Sequence, residues 1–207
     1  MQNAELLYAT TNPGKLQEVA TYLGAELPIT SPKDLGIELE VEETGETLEE
    51  NALLKARAYR AKASDEMIVM ADDTGLEIDA LNGEPGVKVR RWLDGVNDAT
   101  DDEIIKYCLE CMKDVPAGER GAQFRTVIAL ALPDGEEKLF DGKLRGEIAE
   151  RELDHEPWKG FPFRGLFYLP EEGKYLGELE DAPDTERLTH RQKAVQKAAD
   201  WLKDYNT

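Results

Sequence analysis

Two carboxylates stand side by side in Asp72-Asp73-Thr74-Gly75, directly after the apolar run Met67-Ile68-Val69-Met70-Ala71. Acids placed where an apolar strand ends and the backbone turns can offer oxygens to a hard divalent cation, the arrangement of metal-assisted hydrolysis. Side chains on a strand alternate faces, so Val69, Ala71 and Asp73 share one side while Ile68, Met70 and Asp72 share the other. Only one acid then enters a given cleft, and Asp73 is assigned to it. Taken alone, the same residues also describe a polar strand end followed by a glycine turn.

Two further segments suit phosphate. In Thr10-Thr11-Asn12-Pro13-Gly14-Lys15 the backbone can bend tightly round an oxyanion, the helix that follows directs unpaired N–H groups at it, and Lys15 adds a charge. The glycine spacing is not that of a Walker A loop, and such a stretch is also an ordinary turn. Glu42-Glu43-Thr44-Gly45 and then Glu50-Asn51-Ala52-Leu53-Leu54-Lys55-Ala56 put acids ahead of a helix and a lysine near its middle. By itself this is a solvated acidic face.

Periodicity and capping residues outline the elements that must position these groups. A strand from Glu5 to Ala9 leads into the Thr10 loop, and a helix from about Lys15 to Leu23 stops at Gly24. A second helix starts at Thr47, whose hydroxyl can cap while Glu50 reaches back, and it continues through Ala52, Leu53, Ala56, Tyr59 and Ala63 at helical spacing. The strand from Met67 to Ala71 follows. Asp101 to Leu109 reads as helix, with Thr100 and Glu103 as capping box. Gln123 to Leu132, Glu137 to Leu144 and Gly146 to Glu150 read as successive strands joined at Pro133-Asp134-Gly135. From Leu188 onward, Val195, Ala198 and Leu202 share one face of a C-terminal helix. Alternating strand and helix followed by runs of strand imply an α/β fold on a mixed sheet. The sequence shows no repeat, low-complexity tract or long linker, so residues 1–207 are read as a single domain.

Composition narrows the function. With 44 acidic against 25 basic residues and a formal charge of −19, the chain lacks the basic face that nucleic acid or an anionic membrane requires. No stretch approaches the ~20 apolar residues of a membrane span, the N-terminus does not read as a signal sequence, and a cytoplasmic location is expected. Cys108 and Cys111 fall within or beside a helix, without the further ligands of a zinc site, and read as packing residues. His155 is isolated in a loop-like stretch and reads as structural or solvated.

From about Leu7 to Leu202, the ordered set TTNPGK, EETGETLEENALLKA, ADDTGLEIDALNGEPGV and the triplet Thr189-His190-Arg191 resembles the inosine triphosphate pyrophosphatase (Ham1-like) family. Arg91, Arg120, Ala122 and Phe124 add to the likeness. The resemblance implies Mg²⁺-dependent hydrolysis of nucleoside triphosphates to monophosphate and pyrophosphate. It implies an elongated mixed sheet flanked by helices, two lobes with the active-site cleft between them, and a homodimer. It matches Asp73 to the metal ligand and water-activating acceptor, Glu42 to the second metal acid, and Asp72 to the neighbouring acid of the motif. Thr10, Thr11, Asn12, Lys15, Lys55 and Thr74 match substrate positions around phosphates and sugar, and His190 and Arg191 match positions near the base.

The family's base segment reads FGYD, whereas this chain has Phe161-Pro162-Phe163-Arg164. The aromatics Phe161 and Phe163 are retained for stacking, and an acceptor is replaced by the donor Arg164. The family's lysine five residues before the histidine is Thr185, with Arg187 two positions along. Inosine triphosphate is therefore expected not to be the best substrate, and the same phosphate chemistry on another standard or modified nucleotide is the alternative. A non-catalytic nucleotide sensor is the rival from another class, and the joint presence of Glu42, Asp73, Lys15 and Lys55 argues against it.

Overall fold

The structure, a computed structural model, describes residues 5–155, 158–181 and 188–205. Among these, strands β1 (Leu6–Tyr8), β2 (Ile29–Thr30), β3 (Ile68–Ile78), β4 (Pro85–Gly86), β5 (Gly121–Ala131), β6 (Glu137–Ile148), β7 (Phe167–Leu169) and β8 (Lys174–Tyr175) form one open mixed sheet. Its order is β2-β1-β3-β5-β6-β7-β8, with β4 paired to β3. β1 runs parallel to both β2 and β3, while β4 on β3 and the pairs β6–β7 and β7–β8 are antiparallel. The helices are α1 (Pro13–Leu23), α2 (Leu48–Arg60), α3 (Asp101–Cys111), α4 (Leu176–Glu180) and α5 (His190–Tyr205). The α/β fold on a mixed sheet is as the sequence implied.

The chain divides into two compact units. The first consists of Met1–Thr74, Thr126–Lys143 and His190–Thr207. In it Tyr8, Val19, Met70, Ile128, Leu130, Val195, Ala198 and Leu202 form a core in which α1, α5 and the strands bury their apolar sides. The second consists of Gly75–Arg125 and Leu144–Thr189. Its core gathers Leu76, Ile78, Ile104, Cys108, Met112, Leu144 and Phe167. Cys108 is buried there and burial pushes its thiol up to about 12, so it packs as an apolar group. Among the described residues, no helix is long and apolar enough to cross a membrane.

Both capping boxes form as expected, Thr47 with Glu50 on α2 and Thr100 with Glu103 on α3. Two expectations about strands need correction. β3 does not end at Ala71 with a turn at Asp72-Asp73-Thr74-Gly75 but runs on to Ile78. Asp and Gly are poor strand formers, yet Leu76 and Ile78 beyond them are fully buried, and that burial outweighs local propensity. Likewise Glu137 to Leu144 and Gly146 to Glu150 are not two strands but the single β6. Gly146 is a place of close approach and not a break, since a Cβ there would lie 2.5 Å from the Phe167 ring.

Gly142 on β6 plays the same part for the start of α5. A Cβ at this position would lie 2.0 Å from the His190 carbonyl oxygen and 2.6 Å from the Ala194 nitrogen, both backbone atoms that cannot rotate away. The backbone at the head of α5 therefore rests directly on the strand. Gly142→Ala should destabilise the fold by about 2 kcal/mol or more, as overpacking does. Denaturant unfolding checks this, and a loss below ~0.5 kcal/mol would show that the head of α5 can slide.

Candidate active site

β3 places Asp72 and Asp73 on opposite sides of the sheet. Asp72 turns to the side of α1 and α5 and is 2% exposed. Its Oδ1 accepts the Tyr8 hydroxyl at 2.7 Å and its Oδ2 accepts Lys15 Nζ at 3.0 Å, with Arg191 Nε 3.6 Å from the same oxygen. Burial alone would raise its pKa, but Lys15, Arg191, Lys55 and the Tyr8 hydroxyl hold the carboxyl well below the usual range. Arg191, itself 3% exposed, is braced at 2.6 Å by Glu18, and its Nη2 donates to Thr74 Oγ1 at 3.4 Å. Thr74 Oγ1 in turn shares a 2.7 Å hydrogen bond with Thr126 Oγ1.

Asp73 turns to α2. Its Oδ2 accepts Asn51 Nδ2 at 3.2 Å, its Oδ1 accepts the Thr74 N–H at 2.9 Å, and Lys55 Nζ lies 3.7 Å from Oδ1. Lys55 is bound more closely, at 2.9 Å, to Glu43. Burial is the main influence on Asp73, and with the nearby charge of Glu43 it outweighs Lys55, pushing the carboxyl up to about 6. Adjacent acids thus differ in kind: Asp72 is saturated with cations, whereas Asp73 is short of positive charge.

Lys15, Lys55, Glu43 and Asp72 line one cavity of about 450 Å³ together with Thr10, Thr11 and Asn12. Asp72 and Lys55 are on the wall of this cavity, and Asp73 lies next to it, 3.7 Å from Lys55. The helix start also differs from expectation. Pro13 opens α1, and the Asn12 side chain caps it by accepting the N–H groups of Gly14 at 2.9 Å and Lys15 at 3.2 Å. Those amides are occupied by Asn12, so positive charge at this end comes from Lys15. Of the two acids before α2, Glu42 is exposed and Glu43 faces the site. The acid matched from the sequence, Glu42, is thus not the one that reaches Lys55.

The expected base segment lies in the second unit. Phe163 is 2% exposed and packs its ring near Trp92 and Phe124, so it presents no free stacking face. Phe161 is half-buried, and the Arg164 guanidinium lies 3.9 Å over its ring. Arg164 Nε is also ion-paired with Glu180, whose side chain is 9% exposed. His190, in the first unit, is 4% exposed. Thr185 and Arg187 lie outside the described residues.

Comparison with known proteins settles the family. The model of the Ham1 family matches residues 6–201. The chain belongs to the Ham1 family. It is 40% identical over 200 residues to the dITP/XTP pyrophosphatase of Thermoanaerobacter sp. (strain X514), covering 96% of each chain. It is 35% identical over 199 residues to the dITP/XTP pyrophosphatase of Bacillus subtilis (strain 168), again covering 96% of each. Among solved structures, the Ham1 protein of Staphylococcus aureus superposes with a TM-score of 0.81 at 33% identity, covering 97% of this chain and 99% of that one.

Several residues that hold this Ham1 site together escape motif reading. Glu18 is three residues after Lys15 and Asn51 four before Lys55, spacings that put each pair on one helix face and could have flagged both. Tyr8, Thr126 and Glu180 carry no such local signal, since strand pairing or tertiary packing brings them in. Asp72→Asn should cost about 3–5 kcal/mol of stability, because it leaves buried cations uncompensated. Asp73→Asn should leave the fold nearly as stable as before. Thermal denaturation of the two variants side by side checks the contrast, and equal losses would contradict it.

Proposed function

We propose that this chain is a metal-dependent nucleoside triphosphate pyrophosphohydrolase that converts non-standard purine nucleotides to monophosphate and pyrophosphate. The observation that carries the reading is the cavity walled by Lys15 and Lys55, with Asp73 and Glu43 meeting at Lys55 and Asp72 behind Lys15. In this reading Lys15 and Lys55 hold the phosphate chain, Thr10, Thr11 and Asn12 border it, and Asp73 accepts the proton of the attacking water. A pKa pushed up to about 6 suits an acceptor working near neutral pH. The names of the relatives, dITP/XTP pyrophosphatases, support a deaminated purine as the substrate class.

The donor set fits a hard cation. Asp73 and Glu43 converge on one ammonium, and burial, with the charge of Glu43, raises the pKa of Asp73, so a further cation beside it would be favourable. Among the described residues no three or more His, Cys, Asp or Glu side chains are grouped to hold a metal. Mg²⁺ commonly takes only one or two carboxylates beside waters and substrate phosphates. When bound it would neutralise charge on the phosphates and acidify the attacking water. The free thiols of Cys108 and Cys111 fit a reducing cytoplasm, and a homodimer completes the proposal.

For the base, Arg164 supports a retuned pocket. Its stacking on Phe161 and pairing with Glu180 hold a donor-bearing plate where the family's FGYD segment carries an acceptor. Arg164→Asp alone would set two carboxylates against each other at Glu180, so the informative variant combines it with Glu180→Gln.

A panel of nucleoside triphosphates with Mg²⁺, scored for pyrophosphate against phosphate, tests the reading. Pyrophosphate as the product and a drop of at least about 10²-fold in kcat for Asp73→Asn are expected. Orthophosphate as the product, or full activity of Asp73→Asn, would contradict it. The paired change at Arg164 and Glu180 should shift kcat/KM selectively towards inosine and xanthosine triphosphates. A wild-type enzyme already selective for inosine triphosphate and indifferent to that change would place Arg164 outside base recognition.

A further inference from the structure

We propose that Tyr8 is a positioning residue for the phosphate grip: its hydroxyl occupies one oxygen of Asp72 so that the other aims Lys15 at the cavity. The inference rests on the hydrolase reading above and goes beyond it to a residue of β1 that lies outside the cavity wall. Tyr8 is fully buried, and its hydroxyl donates to Asp72 Oδ1 at 2.7 Å. Lys15 Nζ donates to the opposite oxygen, Oδ2, at 3.0 Å. An ammonium has three N–H donors, so one is spent on Asp72 and two remain for phosphate oxygens. The direction of those two is fixed by which Asp72 oxygen anchors the first.

Removing the hydroxyl leaves Oδ1 without its donor in a carboxylate only 2% exposed, and a buried acceptor seeks another. The two cations within 4 Å of Asp72 are not equally able to answer. Arg191 has a side chain 4% exposed and is clamped by Glu18 at 2.6 Å, whereas the Lys15 side chain is 21% exposed and bound at one point. Lys15 is the one that moves, inward onto both Asp72 oxygens and away from the cavity. Tyr8→Phe keeps the ring and its packing, so the loss falls on the hydroxyl alone.

The test uses the full-length protein with Mg²⁺ and inosine triphosphate, and inorganic tripolyphosphate as a base-free competitor. In Tyr8→Phe, KM and the inhibition constant of tripolyphosphate should both rise about 5- to 30-fold, the size expected for about 1–2 kcal/mol of lost phosphate binding, while kcat falls less than about threefold. In a Lys15→Met background the same change at Tyr8 should add nothing. Tyr8→Leu, which also lacks the hydroxyl, should reproduce the rise if Tyr8→Phe is poorly soluble. Unaltered constants with only a lower melting temperature, an equal rise without Lys15, or failure of both variants to fold would each assign the hydroxyl to stability and overturn the proposal. A wild type that releases no pyrophosphate, yet binds tripolyphosphate through Lys15 and loses it in Tyr8→Phe, would overturn the hydrolase reading and support the role of Tyr8.

Discussion

Asp72 is 2% exposed and faces Tyr8, Lys15 and Arg191 at once. An unpaired charge in such a place would cost several kcal/mol, so the carboxylate persists only with its partners, and each partner is held by the same need. Those partners come from the neighbouring β1 and α1 and from α5, which is far from both in sequence. The carboxylate thus fixes where two helices present their cations. Gly142 lets the head of α5 come close enough to deliver Arg191, and Asn12 caps α1 so that Lys15 leaves its first turn in one direction.

Asp73 gains its character from burial on the other side of β3. Strand alternation sends it to α2, where Asn51 and Lys55 are its partners and Glu43 competes for the lysine. Burial then raises its pKa with no cation wholly its own. Neighbouring residues of one type thus have pKa values shifted in opposite directions by their surroundings.

Much of this was legible in the sequence. Periodicity and capping boxes located α2 and α3 to within a few residues, and strand parity correctly sent Asp72 and Asp73 to different sides. The strand through Asp72-Asp73-Thr74-Gly75 was not legible, because local propensity argues for a turn and the burial of Leu76 and Ile78 decides otherwise. Nor was the pairing of Glu43 with Lys55, which depends on the path of the chain before α2. Phe163 shows a further limit: an aromatic in a motif reads as a stacking face, whereas packing against Phe124 and Trp92 makes it core. Arg164 stood out as a change of charge, but its partner Glu180 comes from α4, a short helix with no clear sequence signal.

Asp72 organises the cations of Lys15 and Arg191 through the fold itself. A double-mutant cycle between Asp72→Asn and Lys15→Met, read by denaturant unfolding without ligand, measures it most directly. A coupling of about 1 kcal/mol or more is expected, with the double variant losing less stability than the sum of the single losses. Additive losses would mean that Asp72 and Lys15 do not depend on each other, and would contradict it.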